Sequence, residues 1–120
     1  AGKYLKEKNT NVKIIAVDCA TSFHATNGHP KPYKLEGIGL DFETPCFDES
    51  VIDDIVAVTD NQAIRMMREM ACRHGLLIGT SSGAVAYAVT KYANKMRKGE
   101  LAVMIMGDSG RAYLSKGYFK

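Results

Sequence analysis

Apolar residues along this chain keep two different rhythms. Val12-Lys13-Ile14-Ile15-Ala16-Val17 is a short, β-branched, nearly continuous apolar run. Such a run suits a strand covered on both faces, as in a parallel sheet. Val51 to Val58 (VIDDIVAV) is a second strand candidate. Between them, residues 21–50 hold all three prolines and several glycines with no sustained period. A loop of that length in a compact domain is usually either functional or partly disordered. Ahead of the first strand, Lys3 to Lys8 reads as the last turns of a helix that exits through Asn9-Thr10-Asn11.

After Val58 the period becomes helical. Thr59 stands as an N-cap, with Gln62 three residues on as in a capping box. Ala63, Ile64, Met67, Met70 and Ala71 then fall on one stripe, the mark of an amphipathic helix. His74-Gly75 ends it, with glycine where a left-handed residue is wanted. Leu76 to Ile78 predicts a short strand, and Gly79-Thr80-Ser81-Ser82-Gly83 a tight turn into a second helix. That helix has Ala84, Val85, Ala88, Val89, Tyr92, Ala93 and Met96 on its inner face and stops at Gly99. Leu101 to Met106 predicts a last strand, closed by Gly107-Asp108-Ser109-Gly110, and Ala112-Tyr113-Leu114 the opening of a short helix.

Strands alternating with helices predict an α/β domain, a three-layer α-β-α arrangement around a mainly parallel sheet. The chain opens inside a helix with no strand in front of it. We therefore expect residues 1–120 to be a single-domain fragment, the C-terminal portion of a larger protein.

Composition narrows the classes. At 120 residues and 13.1 kDa the chain has room for one ordinary domain. No apolar run approaches the ~20 residues of a membrane span, and the charged start Ala1 to Lys8 has no apolar signal-peptide core. We expect neither a spanning nor a secreted protein, but a cytoplasmic one. The net charge is +3, with the basic residues scattered and no aromatic residues interleaved for stacking. Nucleic acid is not an expected partner. Cys19, Cys46 and Cys72 are odd in number and widely spaced, without a CxxC. Neither a disulfide framework nor a zinc site is expected, and the three read as reduced, buried thiols.

Ligands of open parallel sheets bind beyond the carboxyl ends of the strands. Three segments fall there: Glu36-Gly37-Ile38-Gly39, Gly79 to Gly83, and Gly107 to Gly110. In the second, a strand runs through small residues into a helix start, so free N–H groups and the helix dipole meet two hydroxyls. Spacing alone reads this as capping by Ser81 or Ser82, or as capture of a ligand atom. The alternate glycines 37 and 39 fit either a turn or a close approach to a flat ligand. Asp108 reads as a possible cap for the helix after it. His24, His29 and His74 share no motif and receive no ligand role. Asp18 ends a strand, but without a GxGxxG a ribose-binding role has little support.

Taken together, YLKEKNTNVKIIAVD, KLEGIGLDF, VAVTDNQAIRMMREMACRHGLLIGTSSGAV and GDSGRAYLSK resemble the C-terminal part of the cysteine synthase and cystathionine β-synthase family. These are pyridoxal-phosphate enzymes of the tryptophan-synthase-like fold, fold type II. The stretches cover nearly the whole chain in the family's order; residues 19–33 depart from it. The resemblance implies that Ser81 bonds the pyridine nitrogen of pyridoxal 5'-phosphate, and that Gly37 and Gly39 line the cofactor and substrate cleft. It implies a supporting place near the pyridine edge for Asp108 and Ser109. It also implies a substrate-side place for Glu36, a glutamate characteristic of cystathionine β-synthases where cysteine synthases more often have glutamine. Leu40 stands where those synthases usually have tyrosine.

The implied activity is β-replacement on serine or an activated serine by a thiol or sulfide, an amine nucleophile being a further branch. A homodimer is implied for the complete enzyme. The family's Schiff-base lysine, asparagine loop and phosphate loop are implied to lie upstream. No catalytic residue is therefore assigned within these 120, and the isolated chain is expected to be inactive. The alternative from another class is a non-catalytic fragment or degenerate paralogue that binds a protein through an open sheet edge.

Overall fold

The computed structural model describes residues 1–120. Helix α1 (Gly2–Lys8) leads to strand β1 (Ile15–Cys19), and a long loop carrying one 3-10 turn (Glu49–Val51) crosses to β2 (Asp54–Val58). Helices α2 (Asp60–His74) and α3 (Thr80–Ala93) follow, and a 3-10 helix (Gly110–Lys116) lies near the end. The two strands pair in parallel, from Ile15 opposite Asp54 to Cys19 opposite Val58. The α/β class with a parallel sheet is the observed one.

Both strands begin three residues later than the apolar runs, for a local reason. The Asp48 carboxylate accepts the Ser50 N–H at 3.0 Å and turns the chain, drawing Val51 into the 3-10 turn. Pairing then starts at a double latch. The Ile14 N–H donates to Asp53 Oδ2 at 2.7 Å, and the Asp53 N–H donates to the Ile14 carbonyl at 2.9 Å. Lys6 of α1 donates to the same carboxylate at 2.8 Å, so Asp53 ties helix and sheet together. These two bonds hold its carboxyl below the ordinary carboxylate range.

α2 begins and ends where its sequence directs. Thr59 and Gln62 form the full capping box, and Gly75 at φ 67° receives the chain in the left-handed region. α3 crosses α2 at small residues: a methyl group on Gly83 would meet the Ala63 carbonyl oxygen at 2.5 Å and Met67 Cγ at 2.8 Å. That close approach lets α3 bury residues nearly all round its first turns, against α2 on one side and both strands on the other. Its buried set therefore includes Ala86 and Tyr87, beyond the expected stripe, and the helix ends at Ala93, before Met96. Cys19, Leu35, Val58, Ala63, Ala84, Tyr87 and Ala88 form the main core. Met67, Ile78 and Tyr113 form a second.

Two expected strands do not form. Leu76 to Ile78 contributes only an antiparallel bridge, Ile78 opposite Ser109. Leu101 to Met106 is in no sheet, and Leu101, Val103 and Ile105 are 86%, 80% and 76% exposed. A strand needs a partner ladder for its N–H and C=O groups, and none of these residues lies beside that segment to supply one. The accessible area is accordingly 8266 Å², against roughly 6,400 Å² for a compact protein of this mass. The cysteines are all free, but only Cys19 is buried; Cys46 and Cys72 are exposed, on the long loop and the outer face of α2. No helix is long and apolar enough to cross a membrane.

Replacing Gly83 by alanine is expected to force α2 and α3 apart and destabilise the fold by about 1–3 kcal/mol, read as a lower urea midpoint. Asp53→Asn is expected to lower the melting temperature at neutral pH. Because the Asp53 pKa is depressed on folding, its contribution is present above the unfolded value and disappears as pH falls through the folded one. The gap between variant and parent should therefore close on acidification.

Candidate cofactor site

The start of α3 collects the three segments expected at the sheet's carboxyl edge. Thr80 does the joining. Its hydroxyl accepts the Glu36 N–H at 3.0 Å and faces the Glu36 carbonyl at 3.3 Å, which fastens Glu36-Gly37-Ile38-Gly39 across the helix start. On the other side, the Gly79 N–H donates to the Asp108 carbonyl at 3.2 Å. Any side chain on Gly79 would run into the Asp108 carboxylate. Ser81, Gly37 and Asp108 thus belong to one rim.

Neither serine caps α3. Gly79 is the N-cap and no side chain bonds the first-turn amides. Thr80 is spent on Glu36, and Ser82 is 1% exposed with its hydroxyl unpartnered. Ser81 is half-buried at the helix start, and a methyl group on Gly37 would lie 3.5 Å from its Oγ. The capping alternative is therefore set aside. What stands here is a hydroxyl beside uncapped amides, under a residue with no side chain.

The two glycines differ. Both have positive φ, 83° at Gly37 and 79° at Gly39. A side chain at 37 would fill the space over Ser81, whereas one at 39 would strike Cys19 Cβ at 2.9 Å and the Tyr33 ring at 3.0 Å. Gly39 is required by packing of the loop onto the core. Tyr33, beside it, has its phenol pushed up by burial and by a hydrogen bond with Asp41.

Asp108 caps nothing; that place is taken by Ser109, which accepts the Arg111 N–H at 3.3 Å. The Asp108 carboxylate instead accepts the Tyr113 hydroxyl at 2.6 Å. Tyr113 is 4% exposed, and burial first, then this bond, raises its pKa above the ordinary tyrosine value. The Glu36 carboxylate pairs with Lys116. Asp18 accepts the Ser22 hydroxyl and the Cys19 N–H, so it organises its own turn. Thr80, Tyr113 and Lys116 were missed in the sequence: Thr80 adjoins a serine with the more obvious role, and Lys116 meets a residue 80 positions away.

The donor set suits a flat heterocycle with a ring nitrogen: one neutral hydroxyl, free amides, and a bare glycine above. Residues 1–108 match the family model described as pyridoxal-phosphate dependent enzyme. The chain belongs to that family, whose cofactor is pyridoxal 5'-phosphate.

The chain is 41% identical over 117 residues to the O-acetylserine dependent cystathionine β-synthase of Bacillus subtilis (strain 168), covering 98% of this chain and 38% of that protein. With a cysteine synthase of Staphylococcus aureus (strain Mu50) it shares 35% over 114 residues, 95% of this chain and 37% of the relative. Among solved structures, cysteine synthase from Entamoeba histolytica superposes with a TM-score of 0.92 at 31% identity, over 98% of this chain and 35% of that one. The O-acetylserine dependent cystathionine β-synthase from Helicobacter pylori gives 0.90 at 34%, over 99% and 39%. The chain spans less than two fifths of the length of these relatives.

Tyr113→Phe is expected to destabilise the fold by about 1–2 kcal/mol, since it leaves the Asp108 carboxylate without its donor. The raised Tyr113 pKa has a second consequence. Stability is full below the unfolded tyrosine value of about 10 and falls as pH rises above it toward the folded value. Parent and variant melting temperatures should converge over that alkaline range.

Proposed function

We propose that this chain forms the ring-nitrogen side of the pyridoxal-phosphate pocket in a longer β-replacement enzyme of sulfur amino-acid metabolism. Its substrates are serine or an activated serine, and a thiol or sulfide. The carrying observation is Ser81: a hydroxyl at the head of α3, engaged in no cap, facing the bare backbone of Gly37. When bound, the cofactor supplies the electron sink through which a β-substituent leaves and a nucleophile adds.

The chain's own groups then divide the work. The Ser81 hydroxyl would hold the ring nitrogen by a neutral hydrogen bond, without adding a full charge to it, which would keep the ring a moderate sink and favour replacement over transamination. Gly37, with no side chain, would leave room for the ring beside Ser81, with Gly39 fixing the loop's path. Asp108, occupied by Tyr113, holds the far rim in place. Glu36 stands on the substrate side.

Glu36 and the 41% identity to an O-acetylserine dependent cystathionine β-synthase both favour the cystathionine branch over the cysteine synthase one. On the same reading the covalent lysine and the phosphate loop come from the N-terminal part of the longer polypeptide, which acts as a cytoplasmic homodimer. A second reading, a non-catalytic protein-binding fragment, is favoured by the uncovered segment Leu101 to Met106. A phosphate loop and a lysine-bearing segment encoded upstream of Ala1 would decide for the enzyme.

Ser81→Ala in the full-length enzyme is expected to lower kcat about 10- to 100-fold, the loss of one hydrogen bond to a buried partner. Its melting temperature should stay near the parent's, because the hydroxyl caps nothing in the fold. Activity with O-acetylserine or serine, and homocysteine or sulfide, is the measurement. Undiminished turnover would remove Ser81 from the site.

A further inference from the structure

Strand β2 pairs with β1 along one edge, and no strand lies along its other edge. Successive residues of a strand turn their main-chain groups to opposite edges. The Val58 carbonyl accepts the Ala20 N–H on the β1 side, so Ile55 and Ala57 present their groups to the open edge. The Asp54 carboxylate takes the Ile55 N–H at 2.9 Å, which makes Ala57 the next open position. Beside it runs a groove of about 390 Å³, lined by Val56 and Ala57 and by Tyr87, Lys91, Tyr92 and Lys95. Lys91 makes no ion pair, and Lys95 meets only Asp54, at 3.4 Å. The two ammoniums lie 5.7 Å and 5.1 Å from the Tyr87 and Tyr92 ring centroids, so the groove joins positive charge to aromatic walls. Gln62 Nε2 donates to the Tyr87 hydroxyl at 2.8 Å, while Gln62 Oε1 accepts the Thr59 N–H. Tyr87, 8% exposed, thus keeps its own hydroxyl hydrogen to donate.

We propose that this edge is a docking site for an extended, acidic segment of a partner protein, which adds beside β2 as a third strand and sets two carboxylates against Lys91 and Lys95. The spacing carries the choice. Asn94 continues the helical backbone, so Lys91 and Lys95 stand one turn apart, roughly 6 Å. Side chains two positions apart in a strand share a face and lie about 6.8 Å from each other. Acidic residues at alternate positions therefore meet both ammoniums while the main chain pairs with Ala57. The groove lies past the middle of α3, away from Ser81 at its head, and the proposal stands apart from the β-replacement reading.

The test is binding of a fluorescent peptide to the full-length protein. The peptide has about six residues, a usual strand length, and is rich in valine and threonine with two glutamates two positions apart. It should bind, and moving the glutamates to adjacent positions should weaken it about tenfold. Lys91→Gln and Lys95→Gln should each weaken it about fivefold, less so in high salt, with the melting temperature unchanged. N-methylation along one edge of the peptide should abolish binding, and along the other should not. Equal binding of the two glutamate arrangements, or equally effective binding of citrate, would overturn the proposal by reducing the groove to a site for any anion. Tolerance of methylation on both edges, or no binding by the parent, would overturn it as well. A parent dimer that dissociates on Lys91→Gln would overturn it by giving the edge to a second copy of the chain.

Discussion

The arrangement turns on one hydroxyl, that of Thr80. Buried at the head of α3, it engages both backbone groups of Glu36, and these are the bonds that a strand or a turn of its own would otherwise give that residue. A free loop of the length of residues 21–50 would have many conformations to lose. Two bonds to one buried side chain fix its exit, so that Gly37 comes to rest over Ser81. The residues at the head of α3 then take separate tasks: Gly79 is the N-cap, Thr80 fastens the loop, Ser81 makes no cap, and Ser82 turns inward.

That division also explains what could be read in the chain before any coordinates. Local chemistry was legible. The Thr59–Gln62 capping box and the left-handed Gly75 are decided within a few residues, and both stand where the pattern puts them. The grouping of residues 36–39, 79–83 and 107–110 followed from the topology of parallel sheets. Which serine does what did not follow, because capping and ligand capture call for the same residue types at the same spacing. Only the use of Gly79 as N-cap separates them. Pairings such as Lys116 with Glu36 leave no local trace, since nothing in either segment refers to the other.

The unformed strands teach a different lesson. Leu101 to Met106 carries the composition of a buried strand, and composition reports the surroundings a segment is suited to rather than those it has. Within these residues it has no ladder partner, and Leu101, Val103 and Ile105 face water. The small core meanwhile gains its density from glycine and alanine at the α2–α3 crossing, where the backbones themselves come into contact. The site is thus built on the best-packed part of the molecule, and its loosest part lies past the end of α3.

That loosest part bears on how such a polypeptide behaves in a cell. Six residues with vacant main-chain donors and acceptors, flanked by bare aliphatic groups, are a template that any extended segment can lengthen. Until they are capped by a neighbouring strand, folding competes with self-association. Yield on expression, more than melting point, should therefore register how quickly that edge is sealed.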